Sequence, residues 1–206
     1  ALGAGLLALD GDRIVGVLGA EGNPDDLDFA DWTRDQITRF LCDLYAQVME
    51  VKPDVKISLA PLGLYRRERY PSDYPTSFQY GYSRANQDAQ AWLAAGAMDF
   101  VVPQIYWDDG GRLPDFSHIL ADWLAHRAGR HIYAGQITGM GRDELIHQVE
   151  VTRSSGGLGN VVFSFGSFDR RVGFARYSGP GGVYATRVPT PDMEWKARPG
   201  EGIVLG

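Results

Sequence analysis

Cysteine is almost missing from this chain: Cys42 is the only one in 206 residues, which excludes a disulfide framework and a cysteine-rich metal site. No stretch reaches the roughly 18 uncharged apolar residues that a membrane-spanning helix needs. Basic runs are absent too, and 26 acidic against 20 basic side chains leave a net charge of −6. Nucleic acid and anionic membrane surfaces are therefore poor partners. There is no phosphate-cradling P-loop, and GLGN at 157–160 precedes a strand pattern, the wrong order for a dinucleotide fingerprint. No GxSxG elbow, HExxH pair or Cys–His arrangement is present, and Ser164 lies within a strand-like run. His118 and His126 stand eight apart with no acidic third partner at ligand spacing, so both read as packing or surface histidines. No cofactor and no metal are expected.

The most informative stretch is AMDFVVPQIYWDD, Ala97 to Asp109. Phe100 to Ile105 is short, apolar and β-branched, which predicts a strand covered on both faces. Its end turns abruptly polar and aromatic, with Gln104, Tyr106, Trp107, Asp108 and Asp109. In parallel α/β proteins that end is where ligands bind. Singly, each residue also fits a structural role, such as an ordinary turn at Asp-Asp-Gly-Gly. Together they point to a site.

The remainder alternates. LLALDGDRIVGVLG can form two strands about a turn at Asp10–Asp12. Asp28 to Val51 predicts a helix with Ile37, Phe40, Leu41, Leu44, Val48 and Val51 on one stripe, capped by Asp28 or Asp31. Val55 to Gly63 predicts a strand, followed by a long loop with Arg66, Arg67, Arg69 and five tyrosines from Tyr65 to Tyr82. Loops of that length in compact domains tend to be functional. SRANQDAQAWLAAG predicts a helix capped by Ser83 and buried through Ala85, Ala89, Trp92 and Leu93. A helix from Pro114, a strand over His131–Ile137, a helix over GRDELIHQVEVTRSSG and a strand over Asn160–Phe168 complete the order. Repeated strand–helix units demand parallel strands with right-handed crossovers. The Pro- and Gly-rich tail after Val188 reads as a linker, and the start at Ala1 without Met as a piece of a longer protein.

Carboxylates and aromatics are the chemistry left, and glycoside hydrolysis uses that inventory. Two carboxyl groups flank the scissile bond, while flat rings hold the apolar side of a sugar and amides or hydroxyls read its edge. Asp10, Asp12, Asp108 and Asp109 are the candidate acids. Gln104, Tyr106, Trp107, Tyr65, Arg66, Tyr133 and Gln136 are the candidate substrate-binding residues.

DFADWTRDQITRFLCDLYAQVMEVKPDVKISLAPLG resembles the helix and following strand of the bacterial glycosyl-hydrolase-like family 10, through Trp32, Arg34, Asp35, Gln36, Lys52, Pro53, Val55 and Lys56. QDAQAWLAAGAMDFVVPQIYW is similar to a second signature of that family, through Asp88, Trp92, Leu93, Gly96, Asp99, Pro103, Gln104, Tyr106 and Trp107. The resemblance implies an α/β fold of the (β/α)8 TIM-barrel type, of which this chain supplies roughly the second half. Residues 1–27 would be a remnant around the fourth strand, 28–188 the half-barrel, and 189–206 the linker to a β domain. It further implies a secreted or envelope-bound bacterial protein, often a lipoprotein, acting on polysaccharide, with peptidoglycan glycan strands as precedent. The family's Asp-rich fourth strand is echoed by ALDGDRI, where Asp10 or Asp12 would stand in. Asp99 begins its strand and belongs to the barrel floor. The rival is a non-catalytic carbohydrate-binding or scaffold protein on a degenerate barrel, while a cofactor enzyme would need a phosphate-binding turn that the sequence lacks.

Overall fold

The computed structural model describes residues 6–10, 13–18, 23–111, 113–171 and 173–196. Two strands, β1 (Leu6–Asp10) and β2 (Arg13–Leu18), pair antiparallel with Asp10 opposite Arg13. Helix α1 (Phe29–Val51) follows, with the Asp28 carboxylate accepting from the Asp31 N–H at its start. Four parallel strand lines then run side by side. They are β3 (Ser58–Leu59), β4 (Phe100–Val101), β5 with β6 (His131–Ile132 and Ala134–Ile137), and β7 (Asn160–Phe163). Bridges from Gln104 to Leu62 and Gly135 join them into one array. This is a mixed helix and parallel-strand arrangement like part of a TIM barrel.

Each strand line is reached through helices. These are α2 (Gly81–Arg84) and α3 (Ala89–Ala94) before β4, α4 (Phe116–Ala125) before β5, and α5 (Arg142–Ser154) before β7. Asp115 caps α4 by accepting from the His118 N–H, which fixes the start of the helix at Phe116, two residues after Pro114. Alternation along the strands sends Val101, Ile132 and Ala134 to the helix side, where they meet the fully buried Phe116, Ile119, Leu120 and Trp123. Burying each such large side chain contributes about 1.5–3 kcal/mol. A second core joins Leu145 and Val149 of α5 to Phe168 of α6 (Phe165–Arg171) and Tyr177 of α7 (Phe174–Ser178). The opposite face of the array is open: Val161 is 45% and Phe163 61% exposed.

Four local expectations change. The helix expected over 83–96 is broken, because Asn86 takes a positive φ and Asp88, accepting from the Ala91 N–H, starts a new helix. Ala85 is exposed. The strand expected to reach Phe168 stops at Phe163, and FGSF opens α6. On α1, Phe40, Leu44 and Val51 of the apolar stripe are exposed, since only one flank of that helix meets α3 and the core. The stretch expected as a linker also has a packed part. Its Trp195 ring lies 4.9 Å from that of His131, and Lys196 reaches Asp99 at 3.1 Å, at the N-terminal ends of the strands.

Candidate functional site

At the other end of the strands the β4 line continues through Pro103. It has no N–H to give, but its carbonyl accepts from Gly135 and Ile105. Beyond Gln104 the chain lifts away from the sheet and lays Tyr106 and Trp107 on the rim. The Tyr106 ring stacks with Phe163, centroids 6.3 Å apart at 23°, and Trp107 meets Phe78 edge-on at 6.2 Å. Gly63 permits the Trp107 position, since a Cβ there would collide with the Gln104 carbonyl and press on the indole. A cleft of about 510 Å³ lies over this rim, lined by Tyr106, Trp107, Asp108, Leu113, Pro114 and Met140. Burial pushes the Tyr106 hydroxyl pKa up, so it stays a neutral donor.

The two rim aspartates are not equivalent. Asp109 has both carboxylate oxygens engaged: Oδ1 accepts from the Ser117 N–H at 2.9 Å and Oδ2 pairs with His147 Nε2 at 2.8 Å. Asp108 is exposed, and its carboxylate has no hydrogen-bond or ion-pair partner among the described residues. Asp109 is therefore a brace and Asp108 a free acid. Beside the rim, Arg34 and Arg66 sandwich the Tyr82 ring, at 3.9 and 3.4 Å from its centroid. Arg34 also bonds Asp31, holding that carboxyl below the usual range. Among the described residues no cluster of three or more His, Cys, Asp or Glu could hold a metal ion, and no helix is long and apolar enough to cross a membrane.

Residues 13–140 match the sequence profile of the glycosyl hydrolase-like 10 family. The chain belongs to that family. It is 29% identical over 114 residues to the glycosyl hydrolase YngK of Bacillus subtilis, a match covering 52% of this chain. To the glycosyl hydrolase DigH of Escherichia coli K12 it is 28% identical over 97 residues, 47% of this chain. Each match spans only 22% of the relative's own length.

Within this glycosyl hydrolase-like frame the expected site residues separate. Tyr106, Trp107 and Asp108 come together at the cleft. Gln104 is half-buried on the open face, its Nε2 donating to the Ala60 carbonyl at 2.7 Å. Tyr133 sits lower on that face, edge-on to Phe100 at 5.1 Å with its hydroxyl beside His131. Arg66 lies over Tyr82 and is half-exposed. Tyr65 does not face the cleft: it is buried, and its hydroxyl donates to Asp88. The rest of its loop likewise turns inward, with Tyr70 and Tyr74 stacked at 5.1 Å and Tyr80 beside them, because these rings fill the gap over α4. Gln136 points to the helix side and is fully buried, so it cannot touch a ligand in the cleft. Asp10 ends β1, opposite Arg13, and Asp12 lies outside the described residues. Sequence reasoning missed Phe163, Phe78 and Met140. For Phe163 a signal existed, because in NVVF the last residue shares a face with Val161.

Proposed function

We propose that the protein is the second half of a (β/α)8 barrel whose cleft binds a glycan and hydrolyses it by carboxylate chemistry. The observation that carries this reading is an unencumbered, exposed carboxylate, Asp108, beside the half-buried rings of Tyr106 and Trp107 in one cleft at the C-terminal ends of parallel strands. Trp107 and the Tyr106–Phe163 pair would hold the apolar faces of successive sugar rings. Asp108 would serve as one carboxyl of the pair, protonating the leaving glycosidic oxygen or activating water at the anomeric carbon. Asp10 or Asp12 would supply the other. The missing half of the barrel would cover Val161 and the open sheet face. Family membership supports a polysaccharide substrate; we assign peptidoglycan glycan strands, and with them a secreted or envelope-bound place in a bacterium.

The test is release of reducing ends from purified, peptide-free glycan strands. In the full-length protein that contains this chain, the wild type should release them, and Asp108→Asn should lose about 10²–10⁴-fold in rate, as expected for a general acid or base, while still binding. An equally active variant would remove Asp108 from the chemistry. A second reading has one observation in its favour: among the described residues lining the cleft, Asp108 is the only carboxylate. A protein that binds glycan but never cleaves it would be the non-catalytic carbohydrate-binding form.

A further inference from the structure

We infer that Gln148, a fully buried residue of α5, is a positioning residue that holds the Trp107–Asp109 rim in its binding geometry through a relay of buried amides. The inference rests on the reading of that rim as the glycan site. The Gln148 side-chain nitrogen donates to the Trp107 carbonyl at 3.0 Å and to Glu144 Oε1 at 2.8 Å, and it also contacts Met140 Sδ at 3.2 Å. Glu144 Oε1 in turn accepts from the Asp109 N–H at 2.9 Å. One nitrogen therefore anchors the residues on both sides of Asp108, and touches a third wall of the cleft through Met140.

The orientation of that amide is forced by its partners. A peptide carbonyl can only accept, so the end of Gln148 facing Trp107 must be the NH2 group. Its oxygen then faces Gln136 and takes the Gln136 Nε2 donor at 3.2 Å, while the same nitrogen donates to the Leu145 carbonyl at 3.0 Å. That leaves Gln136 Oε1 to accept from the Tyr177 hydroxyl at 3.3 Å. Both glutamines are fully buried. No water can replace a lost partner there, and deleting one donor leaves acceptors unpaired. The relay fixes its own direction from Tyr177 to the rim, and gives Gln136 a role away from the sugar.

Gln148→Met keeps the length and bulk of the side chain and deletes the donor. The expected result has three parts: the Trp107 indole N–H resonance, assigned by its loss in Trp107→Phe, moves; affinity for peptide-free glycan strands, read by calorimetry, falls by about tenfold; and in a Trp107→Ala background the same substitution costs no further affinity. A merely structural role would lower the melting temperature but leave the resonance and affinity of the folded variant in place, which overturns the proposal. If Gln148→Met does not fold, Gln136→Met breaks the relay one step earlier; the Trp107 resonance must then shift, and an unmoved one overturns the proposal. Should the wild type bind no glycan, the functional reading fails, while the resonance still decides whether Gln148 holds Trp107.

Discussion

Asp99 and Asp108 sit at opposite ends of one strand line, and the protein treats the two carboxylates in opposite ways. At the floor, Asp99 is fully buried and surrounded by donors: the Tyr45 hydroxyl at 2.7 Å, the Ile57 N–H at 2.7 Å, the Trp195 indole at 2.8 Å and Lys196 at 3.1 Å. At the rim, Asp108 is exposed and its carboxylate is unpaired among the described residues. A buried charge persists only if its partners replace water. Asp99 is thus committed to holding α1, β3, β4 and the C-terminal segment together, whereas Asp108 leaves its carboxylate to solvent. The same residue type supplies cohesion at one end and is left exposed and unpaired, among the described residues, at the other.

The largest expected effect breaks the floor. Asp99→Ala leaves the Lys196 ammonium, itself largely buried, without its counter-charge, and should cost about 3–5 kcal/mol of stability in urea denaturation. A loss below about 1 kcal/mol, the range of exposed pairs, would mean the floor is no better than a surface ion pair. The same cluster sets an acid limit. Burial alone would raise the Asp99 pKa, but the Ile57 N–H and the Tyr45, Trp195 and Lys196 side chains outweigh it, and the folded value lies below the ordinary 3.8. With a depressed folded pKa, the stabilisation is complete above the unfolded-chain value and disappears as pH falls through the folded one. Melting temperatures of the wild type should therefore drop in that acid window, and those of Asp99→Asn should drop less.

Next in size is the rim. Trp107→Ala should weaken glycan binding by about 1–3 kcal/mol, the scale of a lost aromatic anchor. Titration calorimetry giving an unchanged affinity would take the indole out of the cleft. Phe163, exposed at 61%, should show the rim's character without the core's: Phe163→Ala should shift the melting temperature little while lowering affinity. If it unfolds the protein instead, the open face is part of the core and the contrast between the two ends is lost.

What the sequence disclosed and what it hid follow the same division. Elements whose cause is local were readable. Asp28 caps its helix from one residue away, and the polar turn after Ile105 marks the rim. Hidden features depend on distant partners. Trp195 finds Asp99 across 96 positions, and nothing in PTPDMEWK announces a docked segment. The tyrosine loop looked like a lining because aromatics suit both sugars and cores, and only the fold decided for the core. Gln136 lies at a strand end as expected, but strand alternation points it at Leu145 and Gln148 rather than at the cleft. A shift of one residue in reading that strand changes a ligand contact into a buried relay.

The smallest expected effect is the sharpest test of the comparison. Asp108→Asn changes an exposed side chain that caps no helix and accepts no hydrogen bond among the described residues; only its backbone carbonyl is engaged, by the Phe116 N–H. Substitutions of that kind fall within about ±0.5 kcal/mol, so the denaturation curve should overlay that of the wild type. The neighbouring Asp109→Asn is the internal control. It weakens the pairing with His147 and so should cost measurably more than the change at 108. If 108 proves the costlier position, the free acid and the brace have been assigned the wrong way round, and the proposed catalytic acid must be sought at 109.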